Sequence, residues 1–246
     1  MKLRKSYGWV PDVPDQRDYF YKAIKPVIRL PERVDVRGSC SDVEAQGSLG
    51  SCTAQALAGN IEFLDKKIDS AYTDVSRLFI YYNERLIEDT VDYDSGASLR
   101  DGIKTLKKDG VCHESTWPYI ASRFDKRPPL ECYLEAKIHR IQSYHRINNT
   151  AEMMTCLAEG YPFVFGFTVY ESFESAEVKK TGVVNMPEKK EIAIGGHAVM
   201  AAGYDRRPKR FLVRNSWGKK WGMAGYFTMP FEYLDTLAED FWTIRR

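Results

Sequence analysis

Helical and extended patterns are separated along this chain, and that separation constrains its fold more than any other feature. In the first half, apolar residues recur at helical spacing after Cys52, between 75 and 87, and between 98 and 110. In the second half one short helical pattern, 150–159, precedes runs of strand type at 163–169, 197–204, 211–215 and 225–229. This order predicts an α+β protein whose two lobes face each other across a cleft.

The predicted lobes are a mainly helical one at 30–140 and a mainly β one at 141–246. With 246 residues, of which 43% are hydrophobic, the chain can bury a core by itself, so a monomer is expected. Residues 1–29 carry three prolines among many charges and show no periodic apolar pattern. They are predicted to form an extension outside the core.

The charge, the first residues and the cysteine content indicate which partners and ligands to expect. The formal charge is only +2, from 36 basic and 34 acidic residues, so no nucleic-acid partner is predicted. The first 13 residues lack the apolar run of a signal peptide or membrane helix, which disfavours a membrane and favours a cytoplasmic location. Five scattered cysteines without CxxC spacing predict no metal site and no cofactor. We expect reduced thiols, although four of the five could form two disulfides: Cys40, Cys112, Cys132 and Cys156.

Cys52 is the candidate nucleophile. It follows the glycine-punctuated loop 46–51 and falls in the first turn of a predicted helix, with Ser51 as the N-cap. The partial positive charge of a helix N-terminus lowers the pKa of a thiol there, and its amides can stabilise an oxyanion. A buried structural cysteine is the alternative, and it is the more common fate of a free thiol.

His197 and Asn215 are candidate partners of that thiol. His197 opens a strand of small residues and Asn215 ends the next strand, with the turn 205–209 between them. A hairpin would bring the two side chains close together. An amide oxygen that accepts from one ring nitrogen would fix the imidazole tautomer and aim the other nitrogen at the thiolate. Taken singly, each could instead be structural, a core histidine and a turn asparagine.

Three sequence blocks resemble the active-site blocks of papain and the cathepsins. They are 46–52, 196–199 (Gly-His-Ala-Val) and 215–222 (Asn-Ser-Trp-Gly-Lys-Lys-Trp-Gly). His197 lies 145 positions after Cys52, within the family's ~130 to 150, and Asn215 lies slightly beyond. The segments 30–35 and 110–119 are also similar, so the resemblance covers about residues 30–246.

This resemblance implies a papain-like two-lobed fold, with a helical lobe and an antiparallel β-barrel-like lobe. It implies a cysteine-type peptidase that hydrolyses peptide bonds through a thioester acyl-enzyme. Cys52 would be the nucleophile, His197 the general base and acid, and Asn215 the orienting residue. The Gln46 side chain and the Cys52 amide would form the oxyanion hole, and Trp217 would shield the Asn215–His197 hydrogen bond from water.

The resemblance also suggests how a peptide or protein substrate binds. Gly96 and Ala97 align with a glycine-rich edge that pairs with the peptide backbone, and Gly196 and Trp217 would line the same cleft. Glu239 aligns with the floor of the family's specificity pocket, where a carboxylate would favour a basic side chain. A solvated charge is the alternative for Glu239.

The sequence departs from the family pattern at several positions, and it is compatible with more than one function. Leu49 and Asp94 stand where the family has a disulfide, and Thr53 replaces the tryptophan that usually follows the nucleophile. Residues 1–29 could act as a zymogen segment that covers the cleft and inhibits the enzyme. Two other functions are compatible with the same residues, a catalytically silent peptide-binding homologue and an acyl transferase.

Overall fold

The computed structural model describes residues 7–23 and 29–246. The helices described are α1 (Cys52–Asp69), α2 (Arg77–Ile87), α3 (Leu99–Lys108), α4 (Leu130–Ala136), α5 (Thr150–Ala158), α6 (Ala176–Thr181) and α7 (Phe231–Leu237). The strands are β1 (Arg33–Asp35), β2 (Ser143–Arg146), β3 (Phe163–Tyr170), β4 (Ala193–Asp205), β5 (Arg210–Arg214), β6 (Tyr226–Pro230) and β7 (Ala238–Arg245). No helix within these ranges is long and apolar enough to cross a membrane.

Helix α1 is the centre of the molecule. It packs against α2 and α3 on one side and against β4 on the other, so its first 14 residues, 52–65, are all buried. Small residues permit this close approach. At Gly59, a Cβ atom would lie 3.1 Å from the Arg214 side chain. The helix that carries Cys52 is therefore held between the two lobes.

The predicted helix starts are confirmed in position but not always in detail. The Ser98 hydroxyl caps α3 by accepting from the amide of Asp101. Ser51 occupies the N-cap position of α1, but its hydroxyl does not cap the helix; it pairs with the Tyr119 hydroxyl at 2.6 Å. The loop before Cys52 is thus tied to the rest of the helical lobe instead of to its own helix.

The second lobe is built on one antiparallel sheet with the strand order β2-β7-β3-β4-β5-β6, and β1 pairs with β4. Among the described strands this sheet is open and does not close into a barrel. The predicted hairpin is confirmed, since β4 and β5 pair down to Asp205 opposite Arg210. One hydrophobic cluster lies between the helices and the sheet, and a second, rich in phenylalanine, lies on the opposite face. The fold is the expected α+β arrangement.

Residues 7–23, called the amino-terminal segment below, lie against both lobes. Trp9 forms an isolated parallel bridge with Ala97 in the helical lobe, and Phe20 forms one with Arg146 in the β lobe. The expectation that this stretch stays outside the core is wrong for Trp9, which is buried in the cluster between helices and sheet. The segment lacked periodicity because it is held by contacts with distant residues.

Candidate active site

The start of α1 and the strand β4 bring Cys52 and His197 to the same place. The amide of Ala198, the residue after His197, donates to Cys52 Sγ at 3.3 Å. The hairpin partner Asn215 lies beyond the ring, with its Oδ1 2.8 Å from His197 Nε2. All three side chains are buried. A ring nitrogen bound to an amide oxygen fixes which nitrogen serves the thiol.

Trp217 covers the bond between His197 and Asn215. Its indole stacks on the imidazole, with ring centroids 5.1 Å apart and an interplanar angle of 29°. Asn215 Oδ1 also accepts from the amide of Ser216 at 2.8 Å, which holds the side chain in place. A hydrogen bond shielded from water in this way is stronger than an exposed one.

Gln46 lies where the loop before Cys52 meets the loop after Asn215. Its Oε1 accepts from the Ser216 hydroxyl at 2.6 Å, and its Nε2 donates to the Leu49 carbonyl at 3.0 Å. Its backbone amide donates to the Ser216 carbonyl at 2.9 Å. The side chain is therefore buried and fixed between the two loops of the site.

Asp94 is a site residue whose role the sequence did not reveal. Its two carboxylate oxygens accept from the amide of Gly50 at 3.0 and 3.1 Å, and the Tyr81 hydroxyl donates to the same group. Leu49, beside Gly50, is buried. An ionic hydrogen bond thus connects Asp94 to the residue after Leu49, next to the pair of positions where the resemblance places a disulfide.

The pKa of Cys52 differs from the expectation of a lowered value. Burial raises the pKa of the thiol to about 11, and hydrogen bonds from the amides of Ala198 and Gly8 oppose that rise. The helix N-terminus is present, but the amino-terminal segment covers the thiol and removes water from it. In this state Cys52 is a protonated thiol at neutral pH.

The backbone of the segment follows the edge predicted to bind a peptide. The amide of Ala97 donates to Gly8 O at 2.7 Å, the Val10 amide donates to Ala97 O at 3.0 Å, and the Trp9 amide donates to Gly196 O at 3.1 Å. Gly8 must lack a side chain, because a Cβ atom there would lie 1.7 Å from the Gly50 carbonyl oxygen.

Gly96 meets the same stretch of the segment, since its Cβ would lie 2.1 Å from Gly8 O. The structure therefore brings the predicted edge residues Gly96 and Ala97 together with Gly196 around residues 8–10 of the segment. Trp217 lies on the other side of the site, against His197.

A side-chain pocket beside this edge holds the Trp9 indole. A Cβ atom at Gly166 would lie 1.9 Å from the ring, so the pocket exists because that residue is glycine. At its end Asp240 Oδ2 accepts from Trp9 Nε1 at 3.2 Å. Glu239, the predicted floor residue, is instead exposed on β7, and its neighbour Asp240 is buried facing the pocket. Neighbouring residues of a strand point to opposite faces, so the prediction missed by one position.

Acidic residues of the segment continue the contact beyond the pocket. Asp12 accepts from the amide of Arg100 at 3.0 Å and from Trp242 Nε1 at 2.8 Å. Its own amide donates to Asp240 Oδ2 at 2.8 Å. Burial, followed by repulsion from Asp240, raises the pKa of Asp12 to about 6. Further along, Asp18 pairs with the guanidinium groups of Arg100 and Arg146.

This chain is similar in sequence and in structure to known proteins. A model of a family described as papain family cysteine protease matches residues 30–233. Xylellain, a cysteine protease from Xylella fastidiosa, is 44% identical and superposes with a TM-score of 0.91 over 100% of this chain and 98% of its own. An uncharacterized peptidase C1-like protein of Acanthamoeba polyphaga mimivirus is 42% identical over 99% of this chain and 88% of its own. Digestive procathepsin L 3 of Tenebrio molitor shares the fold at 15% identity, with a TM-score of 0.72 over 99% of this chain and 77% of its own.

Proposed function

We propose that Cys52, His197 and Asn215 form the triad with which this protein cleaves peptide bonds. The premise is that the chain belongs to the papain family of cysteine proteases and is a cysteine peptidase. The observation that carries the proposal is the 2.8 Å contact of His197 Nε2 with Asn215, directly beside the thiol that Ala198 contacts. With Nε2 bound to Asn215, Nδ1 is the nitrogen that exchanges a proton with Cys52.

The proposed reaction has two halves. First, His197 Nδ1 takes the thiol proton and the thiolate attacks the peptide carbonyl carbon. The C–N bond then breaks, and the imidazolium proton passes to the leaving amine. Second, Nδ1 takes a proton from water, the hydroxide attacks the thioester carbon, and the C–S bond breaks. The proton returns from the imidazolium as the carboxylic acid product leaves and the thiol is restored.

Gln46 and the amide of Cys52 are proposed to stabilise the oxyanion of both tetrahedral intermediates. The fixed position of Gln46 between two loops supports this role, because a donor held in advance costs no reorganisation during the reaction. Removing one such donor in other enzymes lowers kcat by roughly 10²–10³-fold.

The amino-terminal segment is proposed to inhibit the peptidase as a zymogen segment. It occupies the peptide-binding edge at Ala97 and fills the side-chain pocket with Trp9. At the thiol it presents the amide of Gly8, which donates a hydrogen bond to Cys52. The segment therefore lies across the thiol and the predicted peptide-binding edge at once, which would exclude a substrate from both.

The test of the peptidase proposal uses the full-length Trp9→Ala variant, which lacks the side chain that fills the pocket. It is treated with an epoxide-type thiol-peptidase inhibitor, and the adduct is located by mass. We expect a selective adduct on Cys52 and loss of cleavage of a peptide library in the same sample. Cys40→Ala is the matched control, since Cys40 is another buried free thiol, and it should retain both labelling and cleavage.

Two results would contradict triad-dependent hydrolysis. Absence of both the adduct and the cleavage would indicate a silent peptide-binding homologue. Turnover that requires an added amine would instead indicate acyl transfer.

A further inference from the structure

Two arginines of the lobes hold Asp18 of the amino-terminal segment, beyond the Trp9 pocket. Arg100 on α3 donates through Nε to Asp18 Oδ1 at 3.1 Å and through Nη2 to Oδ2, and Arg146 on β2 donates through Nη1 to Oδ2 at 3.3 Å. Both guanidinium groups also lie against the Trp242 ring, whose centroid is 5.5 Å from each guanidinium carbon. The result is a pre-formed site for a carboxylate.

Arg100 depends on the segment far more than Arg146 does. Among the described residues, each hydrogen bond of its guanidinium goes to the segment, namely to Asp18 and to the Val13 carbonyl. Arg146 keeps a bond to Asp240 of the β lobe at 3.2 Å. Departure of the segment therefore leaves the Arg100 cation, whose side chain is only 6% exposed when covered, without its carboxylate. Released from the segment, this guanidinium is hydrated, and its planar fork remains available to pair with another carboxylate in the same place.

The preference for an anion comes from contact geometry and not from the net charge of the region. Glu88 lines the same pocket as Arg100 and Glu239 lies next to Asp240, whereas the groups in direct contact, Arg100, Arg146 and Asp240, sum to one positive charge. The nearby carboxylate of Asp101 is paired with Lys104 at 2.8 Å and does not neutralise it. The planar guanidinium of Arg100 already makes a two-pronged contact with a carboxylate, so the geometry selects for that group.

We propose that, once the segment leaves, Arg100 with Arg146 recognises an acidic side chain of the substrate, so that acidic peptides are preferred. This inference rests on the proposed function. A continuous peptide already joins Gly8, at the thiol, to Asp18, at the arginines, which shows that one chain can occupy both places at once. Asp18 thus occupies the position of the substrate carboxylate.

The test measures binding separately from catalysis. The protein is the full-length chain with Trp9→Ala and Asp18→Asn, which remove the pocket occupant and the competing carboxylate, and with Cys52→Ala, which prevents turnover. Fluorescent peptides that differ only by Asp or Asn are scanned through successive positions on the amino side of the bond. We expect tighter binding of the Asp peptide at one position, by about tenfold or more, with a preference that falls as salt is added.

Arg100→Gln in the same background should reduce that preference to about twofold or less. Lys104→Gln is the matched control, because it removes the same charge from the same helix but from a side chain that pairs with Asp101. Arg146→Gln is a second variant should Arg100→Gln fold poorly. Equal binding of Asp and Asn peptides at every position would overturn the inference, as would a preference that survives both arginine substitutions. Hydrolysis by the chain with Cys52 intact tests the proposed function independently.

Discussion

Replacing Trp9 by alanine should open the active site of the full-length protein. The indole is buried against Gly166 and Gly196 and donates to Asp240, so its removal costs the docked segment about 3–5 kcal/mol. Since 1.4 kcal/mol is tenfold in an equilibrium constant, the ratio of open to docked protein should rise roughly 10²- to 4 × 10³-fold. Reaction of Cys52 should rise with it until the open form predominates.

Opening should also change the state of the thiol. With a pKa of about 11, only about 0.03% of Cys52 is thiolate at pH 7.5, whereas a pKa near 8.5 would give about 9%, a gain of roughly 300-fold. Intrinsic nucleophilicity falls as the pKa falls, by roughly tenfold over this range, so a net gain of about 20- to 30-fold remains. The alkylation rate of Trp9→Ala should therefore level off at a lower pH than that of the wild type.

Iodoacetamide labelling from pH 6 to 10, with the adduct on Cys52 measured by mass, tests both statements. Tyr19→Ala is the matched control, because Tyr19 is an aromatic residue of the same segment but is 73% exposed. It should label like the wild type. Equal labelling rates and equal pH profiles for Trp9→Ala and the wild type would refute the reasoning that the segment controls this thiol.

Three further predictions concern the pocket, the triad and pH. Gly166→Ala places a methyl group 1.9 Å from the Trp9 ring, so it should expel the segment and increase the rate of Cys52 alkylation. The same substitution in the Trp9→Ala background should give no further increase. Gly38→Ala is the control, because the space around Gly38 is open, and it should leave the alkylation rate unchanged. Asn215→Ala removes the 2.8 Å contact with the His197 imidazole. It should lower kcat/KM by about tenfold to a hundredfold and shift the pH–rate profile. An unchanged pH–rate profile would count against the orienting role of Asn215. The pKa of Asp12 is raised from 3.8 to about 6, so the docked segment binds a proton more tightly than the released one, and docking should strengthen as pH falls from about 7 to 4. Hydrogen exchange of the segment amides, corrected for intrinsic pH effects, should show stronger protection at pH 5 than at pH 7. Asp12→Asn should remove most of this pH dependence. Stronger protection at pH 7 than at pH 5 in the wild type would contradict the prediction.

Local patterns explain why part of the geometry of the proposed triad could be predicted from the sequence. The apolar spacing after Cys52 and the cap at Ser98 are properties of single helices, and α1 and α3 begin where those patterns place them. The link from His197 to Asn215 needed only one hairpin with a short turn, which β4 and β5 form. Features encoded within about 20 residues of chain were therefore predictable.

Features that join distant residues were not predictable in this way. The pocket residue differed from the prediction by one position, Asp240 for Glu239, because a one-residue change in a strand reverses the face. The contact of Asp94 with Gly50 crosses 44 positions, and no local pattern marks it. The segment is held at separated points such as Trp9 and Asp12, so its binding shows only when both lobes are assembled.

The most direct test of the central claim is to trap the acyl-enzyme on Cys52. Full-length Trp9→Ala is mixed with a peptide ester, quenched in acid during turnover, and analysed as intact protein and as a digest. We expect a mass increase equal to the acyl group, located on the peptide that contains Cys52 and absent from Cys52→Ser. Product formation without such an adduct, or an adduct on another residue, would contradict it.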